Sequence, residues 1–120
     1  MLRKILTRWR LAFAYSVAGL RAAFQHEAAF REEVWLACVL LPLAIWMPTG
    51  ILEKLWLIGS VLLVMITELL NSALEALTDR VSLETHPLAK RVKDIGSAAV
   101  LLALLHAVLV WGAIVYTIVT

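Results

Sequence analysis

The sequence contains few of the residues on which soluble enzymes and secreted domains depend. Its 120 residues include one cysteine, three prolines and five glycines. No two of these glycines have the spacing of a phosphate-binding loop, which excludes the glycine-rich nucleotide-binding motifs of soluble ATP-using enzymes. The single cysteine, Cys38, excludes an internal disulfide and a thiolate metal cluster. Only 17% of the residues are charged and 62% are hydrophobic, with a mean hydropathy of +0.89. This composition is typical of a membrane protein.

Three apolar stretches are candidates for membrane spans. The last and clearest, Ile95–Thr120, has no charged residue and exceeds the roughly 20 residues that a span requires. An earlier stretch ends at the turn signal Pro48-Thr49-Gly50, and it reaches spanning length if the charged residues 31–33 lie among the lipid headgroups. A third stretch follows that turn directly. We therefore predict an all-α membrane protein of one domain, residues 1–120, with transmembrane helices at 28–47, 51–80 and 92–119.

The positions of the basic residues indicate how these spans are oriented. Six of the eleven lysines and arginines precede residue 32, and four lie in the connection 80–93 before the last span. Only Lys54 lies in the turn between the first two spans. By the positive-inside rule, the N-terminus and the 80–93 connection are cytoplasmic, and the Lys54 turn faces outward.

The start of the chain has the pattern of an amphipathic helix. Apolar residues recur at helical spacing from Leu2 to Phe24, and basic residues occupy the remaining positions. Such a helix lies on the cytoplasmic leaflet, with its basic side chains near anionic lipid. A secretory signal peptide is the alternative. Because Arg21 interrupts the apolar run, we favour a surface helix at 2–26.

Polar residues enter the second span as a stripe. Glu68, Asn71, Glu75 and Asp79 fall within about 80° of arc on a helix whose other residues are mostly leucine and alanine. Acidic residues at membrane depth are energetically unfavourable and usually face a bundle interior or a polar cavity with a function. For Asp79, pairing with basic residues of the neighbouring connection is an equally good interpretation.

Two further charged residues are predicted to lie near this stripe. Glu27 precedes the first span at the cytoplasmic level of Glu75, and two carboxylates with phosphate oxygens form a typical magnesium site. Lys93 opens the last helix, where it either snorkels to the interface or binds polyphosphate. Glu32 and Glu33 are interpreted more simply as interfacial charges.

Together these groups suit phosphoryl transfer to a lipid hydroxyl. A divalent cation and a lysine neutralise phosphate charge, and a carboxylate without metal accepts the hydroxyl proton. A proton-conducting or ion-conducting subunit also carries carboxylates within the membrane, so the residues alone leave both functions open. Nucleic acid is not an expected partner, because the basic residues adjoin a membrane.

Three blocks of the sequence resemble the prokaryotic integral-membrane diacylglycerol kinases. The blocks are Glu27-Ala-Ala-Phe-Arg31, Glu68-Leu-Leu-Asn-Ser-Ala-Leu-Glu75-Ala-Leu-Thr-Asp-Arg80 and Lys93-Asp-Ile-Gly-Ser-Ala-Ala-Val100. They keep the order and spacing of that family, and the similarity covers nearly the whole chain. The resemblance implies a homotrimer with a surface helix and three transmembrane helices per subunit. It also implies transfer of the γ-phosphate of ATP to a lipid hydroxyl, with Mg²⁺ as cofactor and sites assembled between subunits.

The resemblance also assigns roles to individual positions. Glu68 matches the general base, while Glu27 and Glu75 match the residues that hold magnesium with the ATP phosphates. Asn71 and Asp79 support this arrangement. Nucleotide contacts fall at Arg8, Tyr15, Glu27, Glu75, Glu84, Thr85, His86, Lys93 and Asp94. The lipid groove would be lined by Arg8, Arg21, Ala22, Ala23, Phe24, Ala29, Phe30, Arg31, Glu32, Glu33, Glu68, Ser97 and Trp111.

Two departures from the family pattern lie in the cytoplasmic connection. Ser82 stands where glycine is common and Thr85 where an aromatic residue is common, and both bear on contacts with adenine.

The stretch His86-Pro-Leu-Ala-Lys90 also resembles the undecaprenol kinase branch, whereas Asn71-Ser72 resembles the diacylglycerol branch. The expectation is therefore a multi-pass kinase of the bacterial inner membrane, with a cytoplasmic N-terminus, that makes phosphatidic acid from diacylglycerol and MgATP.

Overall fold

The computed structural model describes residues 1–81 and 86–120, which form four α-helices. They are α1 (Leu2–His26), α2 (Ala28–Trp46), α3 (Ile51–Val81) and α4 (Pro87–Val119). The predicted all-α architecture is confirmed. The helix α4 begins upstream of the predicted position 92, because His86 Nδ1 accepts a hydrogen bond from the Leu88 amide at 3.0 Å and caps the helix.

A single extended residue separates α1 from α2. Glu27 has φ −115° and ψ 107°, which ends one helix and starts the next. Arg31 Nη1 then donates to the carbonyls of Phe24 and Gln25 at 2.8 and 2.9 Å. Because the last carbonyls of a helix have no partner within the helix, a guanidinium placed there satisfies them and complements the helix dipole. Arg31 therefore fixes the angle at which α1 leaves the bundle.

A lysine secures the turn between α2 and α3. Lys54 Nζ donates to the carbonyl oxygens of Ile45 and Met47, both at 2.6 Å, and lies 3.4 Å from that of Ala44. These carbonyls are at the end of α2, where a cation is favoured by the helix dipole. The only basic residue of this turn thus holds α2 against the start of α3.

The most extensive packing joins α3 to α4, with α2 packed on α3 and α1 contacting α2. Small or branched residues of α3 are buried in this core, among them Leu57, Ser60 and Val64, and Gly96 and Ala103 of α4 are buried with them. Nearer the start of α3, Trp111 Nε1 donates to Ser60 Oγ at 3.0 Å. The small residues allow the helix backbones to approach closely, as membrane helices often do.

Most apolar surface of this layer of helices remains exposed. The chain measures 53 × 47 × 23 Å, and Leu102 and Leu109 of α4 are 67% and 71% exposed. Within the described residues, α3 and α4 are long and apolar enough to cross a membrane. Although α2 is also apolar, Arg31, Glu32 and Glu33 lie within its 19 residues. Large apolar surfaces of this kind are those of a membrane protein, whose outer face contacts lipid or other subunits.

Candidate active site

The predicted polar stripe of α3 faces into the bundle. Glu68, Asn71 and Ser72 are 7%, 9% and 8% exposed, and Glu75 is half-buried one turn further on. Glu68 lies about 25 Å along α3 from Ile51, close to the depth at which a hydrocarbon core of about 30 Å ends. A buried carboxylate at this level is available to a group that arrives from the lipid side.

Carboxylates from three parts of the chain converge on Glu68. Glu27, between α1 and α2, and Glu75 on α3 lie close enough for their charges to interact with that of Glu68. The charge of Glu33 on α2 also interacts with Glu68. We call these four residues the carboxylate cluster. Because like charges repel strongly where water is scarce, such a cluster favours the binding of a cation.

Glu33 is a member of this cluster that sequence reasoning missed. It was interpreted as an interfacial charge, and the resemblance placed it only in the lipid groove. In the structure it is half-buried, and its Oε1 atom is buried with no hydrogen-bond partner among the described residues. Glu33 is the innermost residue of the Arg31–Glu33 run, with Arg31 turned back to α1. Its inward position depends on how α2 packs on α3, so no local pattern in the sequence indicates it.

Asn71 connects the cluster to α4. Its Nδ2 atom donates to Glu75 Oε1 at 3.3 Å, so the amide orients one of the two predicted metal-binding carboxylates. Its Oδ1 atom is buried without a partner in the described part of the chain and faces Gly96. Asn71, which was predicted to support the metal-binding carboxylates, therefore contacts Glu75 on α3 and Gly96 on α4.

The start of α4 adds cationic groups beside the stripe. Lys93 Nζ lies 2.8 Å from Asp79 Oδ1, and both side chains are largely exposed. Lys90 Nζ lies 2.7 Å from Asp94 Oδ2 one turn apart on α4, and this hydrogen bond raises the pKa of the exposed Lys90 ammonium. Of the two interpretations of Asp79, the structure favours pairing with a basic residue of the neighbouring segment, and that residue is Lys93. The Lys93 ammonium is thereby held at the C-terminal end of the stripe on α3.

The donor set of the cluster suits magnesium. Hard carboxylate oxygens are the ligands that Mg²⁺ prefers, and protein sites usually supply one or two of them with phosphates and water completing the octahedron. No group of three or more potential metal ligands was found in residues 1–81 and 86–120. The carboxylate oxygens of Glu27 and Glu75 are of the kind that would suit a magnesium ion arriving with a polyphosphate.

Other predicted nucleotide-binding residues lie farther away in one chain. Arg8 and Tyr15 border a groove on α1, and Arg8 is about 28 Å along that helix from Glu27. His86 caps α4 through Nδ1. Glu84, Thr85 and the departure at Ser82 lie outside the described residues. A single chain thus brings together the carboxylates and Lys93, but not Arg8.

The predicted lipid-binding residues divide by burial. Ala23 and Phe30 are buried in the chain itself at 9% and 2% exposure, and Arg31 is engaged with the α1 carbonyls. The predicted positions that remain exposed for contact with lipid are Arg21, Ala22, Ala29, Glu32 and Ser97. Phe24 is half-buried and packs against Trp35. Trp111 and Glu33 line the two ends of an apolar groove between α2, α3 and α4, with a volume of about 300 Å³. This groove leads to the carboxylate cluster.

The structure is an all-helical membrane layer in which the carboxylate cluster lies near a lysine. Proteins of this class are suited to phosphate chemistry. Residues 14–115 match the family described as prokaryotic diacylglycerol kinase, and the chain belongs to that family. The chain is 49% identical to the diacylglycerol kinase of Haemophilus influenzae over 85% of its length and 86% of that protein. It is 46% identical to that of Escherichia coli K12, over 92% and 91% of the two chains. It is 50% identical to that of Pseudomonas aeruginosa, over 86% and 84%.

Proposed function

We propose that this protein is a diacylglycerol kinase, which transfers the γ-phosphate of MgATP to the free hydroxyl of diacylglycerol and gives phosphatidic acid and ADP. The reaction takes place at the cytoplasmic face of the bacterial inner membrane. Relatives that carry this name at 46–50% identity over most of the chain support the activity. The observation that carries the proposal is the buried Glu68 within a carboxylate cluster, in the interior of α3, a helix long enough to cross the membrane.

Glu68 is the proposed general base. The hydroxyl oxygen of diacylglycerol forms a bond to the γ-phosphorus, the bond from that phosphorus to the β-phosphate oxygen breaks, and the hydroxyl proton passes to the Glu68 carboxylate. Burial excludes water, which would otherwise compete with the lipid hydroxyl for the phosphoryl group. The lipid reaches this carboxylate by lateral diffusion in the leaflet and through the groove that ends at Glu33.

Glu27 and Glu75 are the proposed magnesium ligands, and when bound the ion neutralises charge on the transferred phosphates. Asn71 holds Glu75 in place through its amide. Lys93 leaves Asp79 and binds phosphate oxygens. Breaking the exposed ion pair costs little free energy, because such a pair contributes only about 0–1 kcal/mol to stability. The remaining nucleotide contacts are proposed for Arg8, Tyr15, Glu84, Thr85, His86 and Asp94.

The proposed assembly is a homotrimer, each subunit of which has α1 on the cytoplasmic surface and three transmembrane helices, α2, α3 and α4. Two observations support an assembly. Apolar side chains cover the outer faces of the helical layer, and Arg8 lies about 28 Å along α1 from its own Glu27. A neighbouring subunit is the natural source of an Arg8 or Tyr15 that reaches the nucleotide.

The experiment that tests this function offers two lipids to one preparation. Purified protein in lipid nanodiscs receives ATP labelled at the γ-phosphate, with diacylglycerol or undecaprenol as acceptor. We expect label in phosphatidic acid. Label in undecaprenyl phosphate alone would assign the chain to the undecaprenol branch, which its stretch from His86 to Lys90 resembles. Absence of labelled lipid together with ion flux through reconstituted vesicles would instead favour a conducting subunit.

A further inference from the structure

Gly96 is the point at which α4 comes closest to the polar stripe of α3. It is buried, and a Cβ atom built on it would overlap Asn71 Oδ1 and lie 3.0 Å from Asn71 Cγ and 3.8 Å from Asn71 Cβ. All three nearest atoms thus belong to one side chain. The contact joins the helix that carries Lys93 to the residue that orients Glu75.

Two other helical glycines, one in α3 and one in α4, show that this contact is specific. At Gly59 and Gly112, a built Cβ would meet no described atom within 4 Å outside its own helix backbone. Alanine is the more favourable residue in the interior of a helix, since it lowers the conformational entropy of the unfolded chain. Of these three positions, only Gly96 has a neighbour that requires the absence of a side chain.

The Asn71 amide has one satisfactory orientation here. The Glu75 carboxylate accepts hydrogen bonds and donates none when ionised, so the amide nitrogen must face it and the amide oxygen must face Gly96. The oxygen is buried and has no partner among the described residues. Turning the amide over would place an oxygen against a carboxylate. Any group added at Gly96 therefore has to move Asn71 away from Glu75.

We propose that Gly96 is a positioning residue for Glu75, acting through Asn71. The missing side chain at Gly96 lets the Asn71 amide occupy the space between α3 and α4, from which Nδ2 donates to Glu75 Oε1 at 3.3 Å. The role of Glu75 in binding magnesium rests on the proposed function. The contact chain from Gly96 through Asn71 to Glu75 is independent of that assignment.

A double-mutant cycle separates positioning from simple helix packing. The four proteins are the native chain, Gly96→Ala, Asn71→Ala and the double variant, with Gly112→Ala as the matched glycine control on the same helix. Two properties are measured in nanodiscs: the thermal midpoint of unfolding, and the affinity for Mn²⁺ in the presence of a non-hydrolysable ATP analogue, followed by electron paramagnetic resonance. Neither measurement depends on turnover.

We expect Gly96→Ala to lower the thermal midpoint and to weaken Mn²⁺ binding by about tenfold, the loss that follows when a carboxylate loses one hydrogen bond. In the Asn71→Ala background, the same substitution should leave Mn²⁺ affinity unchanged and raise the midpoint, because the added methyl then fills space that Asn71 has vacated. Gly112→Ala should leave Mn²⁺ affinity as it is in the native chain.

Three results would overturn the proposal. One is a Gly96→Ala protein that unfolds at a lower temperature but binds Mn²⁺ normally, since the glycine would then serve packing alone. Another is an equal effect of Gly96→Ala in both backgrounds. If Gly96→Ala alone yields no folded protein, the double variant should recover folding, and failure to recover it is the third.

Failure of the proposed function gives a different pattern. A native protein that phosphorylates no lipid would refute the kinase activity, whereas coupling between positions 96 and 71 in the thermal midpoint would persist. Conversely, active native protein without such coupling would refute the positioning role and leave the kinase intact.

Discussion

Lys93 Nζ and Asp79 Oδ1 lie 2.8 Å apart and join the start of α4 to the end of α3, where the polar stripe ends. Both side chains are about half exposed or more, at 46% and 65%. An ion pair of this exposure contributes little to stability, because water and salt screen it. Its effect is to hold the ammonium near the carboxylate cluster, where the proposed function places the phosphates of a nucleotide.

The two partners of this pair should therefore differ when each is replaced. Asp79→Asn should change the free energy of unfolding by less than about 1 kcal/mol and leave kcat close to native. Lys93→Ala should raise the KM for MgATP by about tenfold or more, since a charge-assisted bond to phosphate is lost. Steady-state kinetics at varied ATP would check this, with Lys90→Ala as the control for a lysine of the same helix turn. An equal loss of kcat in Asp79→Asn and Lys93→Ala would contradict it.

Replacing either proposed metal ligand should change the magnesium requirement. Glu75→Gln and Glu27→Gln each remove one charged oxygen donor, so the Mg²⁺ concentration for half-maximal rate should rise about tenfold or more. A magnesium titration at fixed ATP measures this. Glu53→Gln, in the first turn of α3 and far from Glu75 along that helix, should have the native titration curve. A native curve for both Glu75→Gln and Glu27→Gln would exclude them as ligands.

The hydrogen bond between Trp111 and Ser60 should contribute measurably to stability. Ser60 is 1% exposed, and its hydroxyl is the acceptor for the indole N–H. Ser60→Ala leaves that donor without its partner and should lower the free energy of unfolding by about 1–3 kcal/mol. Thermal or denaturant unfolding in detergent measures it. Ser16→Ala is the control, because Ser16 is exposed and bonds only to its own helix, and a loss as large there would show that the indole contact is irrelevant.

Arg31 should control the order of α1. Its guanidinium binds two carbonyls at the end of that helix, so Arg31→Ala should release the Phe24–Glu27 segment and speed its amide hydrogen exchange. Exchange within α3 should remain native. Arg10→Ala, in the middle of α1, serves as the control. Unchanged exchange at the α1 end in Arg31→Ala would mean that Glu27 alone sets the helix junction.

Local sequence patterns anticipated much of this structure. The amphipathic spacing from Leu2 to Phe24 and the Pro48-Thr49-Gly50 turn correspond to observed helix boundaries, because both signals act over a few residues. The helix α4 begins at Pro87, upstream of the predicted span 92–119, because its cap is His86 and the apolar pattern starts only later. The carboxylate stripe was visible from helical spacing alone, and its burial follows from the small residues of α4 that pack against it.

Contacts between distant segments were not predictable in the same way. Glu33 gave no signal of its own, because its inward position depends on how α2 packs on α3. The contact of Gly96 with Asn71 requires the register of α3 against α4, which no single helix encodes. The nucleotide-binding prediction at Arg8 is not met within one chain, because Arg8 lies about 28 Å along α1 from Glu27. The sequence thus specified the elements and the polar stripe, while the packing of helices selected which side chains meet.

The most direct test of the account is the rate of lipid phosphorylation by Glu68→Gln beside the native protein and Glu53→Gln. Glutamine keeps the size of the side chain but has no basic carboxylate, so we predict a fall in kcat of about a hundredfold or more, with native nucleotide binding and a native folded assembly. Glu53→Gln should retain the native rate. A Glu68→Gln protein that keeps most of its kcat would contradict the assignment of Glu68 as the base.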